Sequence, residues 1–201
     1  MKIIDVPQRS PEWFEARLGV PTSSNFDKII TMAGKPSTQS KHYMYKLAGE
    51  KVSNHIEDSY QNAAMLRGIE LEDEARQLYQ IVSGNEVEQV GFCITERDSV
   101  FGASPDGVVG ADGLIEVKCP LVHTHVKYLI DNKLPSEYFQ QVQGQMLVTG
   151  RKWCDFISYF PGLKPLIIRV ERDEEFLRKL EVELTLFCEK LNVTIEKLKE
   201  K

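Results

Sequence analysis

Apolar residues along this chain recur at two different periods, and the points where one period gives way to the other mark out its elements. Leu71, Ala75, Leu78, Tyr79 and Val82 stand at i, i+4, i+7, i+8 and i+11, which places them on one helical stripe, with Gly84 positioned as the left-handed cap. Met44, Leu47, Ala48 and Val52 repeat the pattern after the polar loop from Gly34 to Ser40. Ser10-Pro11-Glu12 reads as a helix start with proline at the first helical position; Trp13, Phe14 and Leu18 continue it as far as Gly19. A second short helix is expected near Thr22-Ser23-Ser24. Beyond Gly84 the period shortens, and strands are predicted over Val87–Ile94, Val100–Ala103, Gly107–Val109, Leu114–Lys118, Trp153–Phe160 and Leu166–Val170. A helix from Ser136 to Val148 crosses between them. The last helix carries Leu177, Leu180, Leu184, Phe187, Leu191, Ile195 and Leu198, a stripe suited to core or subunit packing. These elements make an α/β domain with a central mixed β-sheet flanked by helices.

Composition bounds what such a domain can be. With 42% hydrophobic residues, 201 residues can bury one sizeable core, so residues 1–201 are expected to form a single domain. No segment approaches the roughly 18 consecutive apolar residues of a membrane span, which predicts a cytoplasmic protein without membrane partners. Cys93, Cys119, Cys154 and Cys188 are widely spaced and lack any C-x-x-C pair, a pattern of reduced, mostly buried thiols. The net charge of −5 rules out indiscriminate coating of nucleic acid but not a locally basic face, for which Arg9, Arg17, Lys28, Lys35, Lys41, Lys46 and Lys51 are candidates.

Chemistry concentrates between Ser104 and Pro120. Asp106 precedes Gly107-Val108-Val109, the turn Gly110-Ala111-Asp112-Gly113 follows, and Leu114–Lys118 returns as the second strand of a hairpin. Side chains alternate across a strand, so Glu116 and Lys118 share one face while Ile115 and Val117 face the core. Taken singly, an aspartate in a turn and a Glu-x-Lys on a strand are ordinary turn chemistry and a solvated pair. Together they bring two carboxylates from neighbouring strands beside an ammonium, as a hard, oxygen-seeking cation and a positioned water require, and so outline a magnesium-dependent nuclease. His123 and His125 lack a third ligand, and His42 and His55 are isolated. The carboxylates of Glu70, Glu72, Asp73 and Glu74 crowd one helix, with Glu72 and Arg76 spaced as an i,i+4 pair; composition alone reads them as a solvated face.

The words SPDG and IEVKCP resemble those of the lambda-type phage exonucleases, the YqaJ viral recombinase family of PD-(D/E)-x-K nucleases, and the likeness extends from about Trp13 to Val170-Glu171-Arg172-Asp173. Several site residues follow from the resemblance alone. GIELEDEARQLY is similar to the family helix whose glutamate serves the metal site, which singles out Glu72. Tyr138-Phe139-Gln140-Gln141-Val142-Gln143 is similar to its Y-x-x-Q-x-Q element, which directs Gln141 to the site, with Gln143 a weaker candidate. Trp13 to Ser24 matches W-x-x-x-R-x-G-x-x-T-[AS]-S, whose arginine and final serine bind a terminal 5′-phosphate; here these are Arg17 and Ser24. The resemblance implies a restriction-endonuclease-like fold and a 5′→3′ exonuclease acting on double-stranded DNA ends. It further implies two Mg2+ ions, with Mn2+ a plausible substitute, held by Asp106, Glu116, the Val117 carbonyl and Glu72. Lys118 would position the attacking hydroxide. A ring-shaped homotrimer and a single-strand annealing protein as partner in phage recombination are implied in the same way. An endonuclease of the same fold and a non-catalytic DNA-binding module remain the alternatives.

Overall fold

The structure, a computed structural model, describes residues 1–56, 63–96 and 99–200. Its elements in chain order are β1 (Lys2–Ile4), α1 (Pro11–Arg17), a 3-10 helix (Ser23–Lys28), α2 (Ser40–Ser53) and α3 (Ala63–Ser83). There follow β2 (Phe92–Ile94), β3 (Gly102–Ala103), β4 (Gly107–Val109), β5 (Gly113–Lys118), α4 (Val122–Asp131), a single 3-10 turn (Ser136–Tyr138) that leads into α5 (Phe139–Thr149), β6 (Trp153–Ser158), β7 (Leu166–Glu171) and α6 (Glu174–Lys199).

The expected α/β architecture with a mixed sheet flanked by helices is present, and its strands fall into two sheets. Strands β1-β2-β3 form an antiparallel sheet, and β4-β5-β6-β7 form a mixed one in which only β5 and β6 run parallel. The strand predicted over residues 87–94 is where they part. Glu88 bridges to Val108 beside the second sheet, whereas Phe92–Ile94 pairs with β1 and β3. Between them lies Gly91, where an added Cβ would lie 2.2 Å from the Ile4 carbonyl oxygen; this close backbone crossing lets the segment change sheets. β1 itself escapes periodicity arguments, because three residues are too few to display a period.

Helix ends follow the local signals. The Ser10 side chain accepts from the Trp13 N–H, Pro11 opens α1, and Gly19 at φ 72° turns the chain away. Asp173 caps α6 in the same way, accepting from the Phe176 N–H, with Glu174 and Glu175 in the first turn and Lys197 and Lys199 in the last, each sign matched to the helix dipole. The α6 stripe from Leu177 to Ile195 is buried with Tyr43, Leu47 and Ala48 of α2, so it is core of this chain; Leu198 stays exposed. No helix among the described residues is long and apolar enough to cross a membrane.

What positions the site is the double coverage of β5. One face carries Ile115 and Val117 against Ala75 and Tyr79 of α3. On the other face Leu114 packs with Val142 and Met146 of α5. Residues 113 to 117 are all buried, so the face bearing Glu116 lies beneath α5 and is not the solvated strand face that simple alternation suggests. Helix α5 lies low over the 3-10 helix at Gly144, where a Cβ would lie 2.4 Å from Phe26.

Candidate active site

β4 and β5 form an antiparallel hairpin with Gly107 opposite Ile115, and extending that register by one residue sets Asp106 opposite Glu116. Asp106 lies just outside β4, so its side chain is free to act where the ladder ends: Oδ2 accepts from the Val117 N–H at 2.6 Å. Its backbone carbonyl accepts from Arg76 Nε of α3 at 3.1 Å. Burial, followed by the charges of Glu116 and Glu72, pushes the Asp106 carboxyl well above its ordinary range; Lys118 and the Val117 N–H oppose the shift. The dominant physics is therefore negative charge crowded into a partly desolvated place.

Glu116, 1% exposed, is held from three sides. Lys118 Nζ meets Oε1 at 2.6 Å, Gln141 Nε2 donates to Oε1 at 2.6 Å, and Gln145 Nε2 donates to Oε2 at 2.5 Å. Lys118 also lies 5.0 Å over the Tyr138 ring, which stacks on Phe156. Burial acts to lower the Lys118 ammonium, but the charges of Glu116 and Asp106 outweigh it and hold the group above its ordinary value.

Glu72 approaches from α3. Its Oε1 pairs with Arg76 Nη2 at 2.9 Å, and its Oε2 takes the guanidinium of Arg9, a residue in the left-handed region at φ 68°. Glu70, Asp73 and Glu74 are exposed, so Glu72 is the carboxylate of this helix that turns inward. A cleft of about 430 Å3 opens beside it, lined in part by Gln8, Arg9, Glu72 and Asp73. Among the described residues no three carboxylate, imidazole or thiol groups form a metal-binding cluster. Asp106 and Glu116 nonetheless supply two hard-oxygen donors beside the Val117 main chain, a donor set suited to Mg2+ or Mn2+; Glu72 is separately engaged by its two arginines.

Arg17 and Ser24 come together through Thr22. Arg17 Nη2 donates to Thr22 Oγ1 at 3.3 Å, and the Thr22 and Ser24 hydroxyls lie 3.3 Å apart. Arg17 Nη1 donates to Ser104 Oγ at 3.0 Å, the oxygen that also accepts from Trp13 Nε1 at 3.0 Å, and the guanidinium stacks 4.0 Å over the Trp13 ring. Ser104 stands two residues before Asp106, so this cluster of one arginine and three hydroxyls is tied to the carboxylate turn. Among the described residues no carboxylate pairs with Arg17, and burial lowers its guanidinium to about 10.

Gln143 lies outside this cluster: its amide donates to the Glu171 carbonyl at 2.8 Å and accepts from the Asp173 N–H at 2.9 Å, clamping α5 to the end of β7. His125 is a core histidine, Nδ1 lying 2.8 Å from Ser158 Oγ and Nε2 3.1 Å from the Lys164 carbonyl oxygen. All four cysteines are buried free thiols. Sequence reasoning missed Gln145 and Ser104. The signal for Gln145 was its i,i+4 spacing from Gln141, which repeats an amide on the same helix face.

The model of the YqaJ-like viral recombinase domain matches residues 12–152. An alkaline exonuclease from Laribacter hongkongensis is similar over 95% of this chain and 97% of its own, at 40% identity and a TM-score of 0.87. A second structure of that exonuclease, in complex with dAMP, gives the same identity and coverage at a TM-score of 0.86. A phage-related exonuclease from Haemophilus somnus 129PT shares the fold at 18% identity, covering 90% of this chain and 96% of its own with a TM-score of 0.66. No curated protein sequence matches the chain.

Proposed function

From the membership of this chain in the YqaJ-like viral recombinase domain family, we propose that it is a metal-dependent 5′→3′ exonuclease that hydrolyses one strand of linear double-stranded DNA from 5′-phosphorylated ends. The observation that carries this reading is the hairpin placing Asp106 opposite Glu116 with Lys118 two residues on, a constellation of two carboxylates and an ammonium around one point. The alkaline exonuclease 40% identical to this chain binds dAMP, a deoxynucleoside monophosphate of the kind an exonuclease releases.

Asp106, Glu116 and the Val117 carbonyl would hold one Mg2+, with Asp106 shared and Glu72 serving a second ion directly or through water once it exchanges Arg9 or Arg76 for the cation. Bound there, the two ions would stabilise the attacking and leaving oxygens of an in-line displacement at phosphorus. Lys118 offers three donors, so it can turn from Glu116 to orient the attacking water. Gln141, partly exposed at the amino end of α5, can hydrogen-bond that water or the scissile phosphate without adding charge. Arg17, with Thr22, Ser24 and Ser104 around it, would take the terminal 5′-phosphate; a guanidinium without a carboxylate partner is free to fork onto it. Its connection through Ser104 to Asp106 sets the distance from the recognised end to the hydrolysed bond, and this gives the enzyme its polarity.

A ring trimer working beside a single-strand annealing protein in phage-type recombination, in the host cytoplasm, completes the proposal as the family resemblance implies it. One assay tests the core of it: linear and covalently closed circular duplex incubated with Mg2+. Digestion of the linear form alone supports the exonuclease, cutting of the circle would indicate an endonuclease, and inertness on both would leave a DNA-binding module.

A further inference from the structure

We propose that Gln145 is the positioning residue that holds the Glu116 carboxylate in its cation-binding orientation throughout turnover. The inference rests on the metal-nuclease reading above. A carboxylate oxygen accepts along two lone-pair directions. Oε1 of Glu116 has both taken, by Gln141 and Lys118. Oε2 has one taken, by Gln145, and its other direction is left for a cation. The two partners of Oε1 are also the groups with duties toward water and phosphate, and when they turn to the substrate, Gln145 is the hydrogen-bond donor that stays.

Its surroundings suit it to that task. Gln145 is 0% exposed, so it has no path to solvent or substrate, whereas Gln141 is partly exposed. Its amide cannot flip freely, because Oε1 faces the Cys154 Sγ at 3.9 Å, a thiol donor, while Nε2 faces the carboxylate. The same helix supplies a contrast: Gln143, 1% exposed, spends both ends of its amide on backbone atoms of Glu171 and Asp173. Two buried glutamines one turn-half apart on α5 thus have separable roles, one joining elements and one aiming a ligand.

The test compares Ca2+ binding by isothermal titration and Mg2+-dependent digestion of linear duplex in wild type, Gln145→Met and Gln143→Met. Gln145→Met keeps the volume but removes the donor, so Ca2+ affinity should fall about tenfold, the loss typical when a hydrogen-bond partner of a metal ligand is removed. The Mg2+ concentration for half-maximal rate should rise in parallel, with KM for DNA ends unchanged. Gln143→Met should lower the melting temperature and leave Ca2+ affinity as it was. Should Gln145→Met fail to fold, Cys154→Val, which frees the amide without touching Glu116, should still weaken Ca2+ binding, and Cys154→Ser, which restores a donor, should recover it. Unchanged Ca2+ affinity in Gln145→Met, or in Cys154→Val where that variant decides, would overturn the role of Gln145. A wild-type protein that neither binds Ca2+ nor digests DNA would overturn the nuclease reading instead.

Discussion

Removing the Arg17 guanidinium should convert an end-specific enzyme into one indifferent to the 5′-phosphate. The side chain is stacked 4.0 Å over Trp13 and hydrogen-bonded to Ser104 and Thr22, so it is ordered before DNA arrives and loses little rotamer freedom on binding. A charge-assisted hydrogen bond to a phosphate is worth about 1.5–3 kcal/mol, so Arg17→Ala should slow digestion of 5′-phosphorylated duplex roughly 10- to 100-fold. Wild type should lose a similar factor on 5′-hydroxyl duplex. Combining mutation and dephosphorylation should add little, because both delete one interaction. The preference for phosphorylated ends should also depend on pH with a defined sign. Below about pH 6 the phosphate becomes a monoanion and the preference shrinks. Above that pH it should stay level, because the guanidinium keeps its proton beside a bound dianion. Rates of single-turnover digestion on the two kinds of end supply every number needed. Losses that multiply in the combined experiment would place Arg17 elsewhere on the DNA, and equal wild-type rates on both ends would remove the phosphate pocket altogether.

The other expectations are shorter. Asp106→Ala, Glu116→Ala and Lys118→Ala should each abolish most hydrolysis while retaining the circular dichroism of the folded protein, and Asp106→Ala should weaken Ca2+ binding by calorimetry; unaltered affinity would contradict the metal assignment. Ser24→Ala, which removes an exposed neutral hydroxyl, should cost about 0.5–1.5 kcal/mol, a two- to tenfold slowing confined to phosphorylated ends. Gly144→Ala should destabilise by about 1–3 kcal/mol, because its Cβ would lie 2.4 Å from Phe26, and a melting temperature equal to that of wild type would show that the 3-10 helix yields. Light scattering should give a molar mass near three times the 23.0 kDa chain, and a monomer at micromolar concentration would exclude the ring.

Much of this protein is legible in its sequence wherever cause and effect lie close along the chain. The α1 cap at Ser10, the Gly84 stop, the α6 stripe and the β4–β5 hairpin all follow from signals within a few residues, and the structure contains them. The pairing of Asp106 with Glu116 belongs to the same class, because a tight turn sets the register and the register sets the neighbours. The convergence of Gln141 on Glu116 and the grouping of Arg17 with Ser24 were suggested by family resemblance; periodicity alone leaves such residues on an ordinary helix surface.

Tertiary structure decided the rest, and the reason is that these features depend on what covers an element. Alternation assigns Glu116 to one face of β5 but cannot say that α5 lies on that face, buries the carboxylate and brings Gln145 to its second oxygen. Helical spacing pairs Glu72 with Arg76 but does not reveal that Arg9 reaches Glu72 across 63 positions of sequence, or that Arg76 also binds the Asp106 carbonyl. Gly91 marks no more than a break in a strand until β1 crosses it and the sheet divides there. Local hydrogen bonding and side-chain periodicity act over a few residues and are written in order along the chain. Burial and long-range charge pairing act through space, and take their partners from whichever elements the packed core brings together.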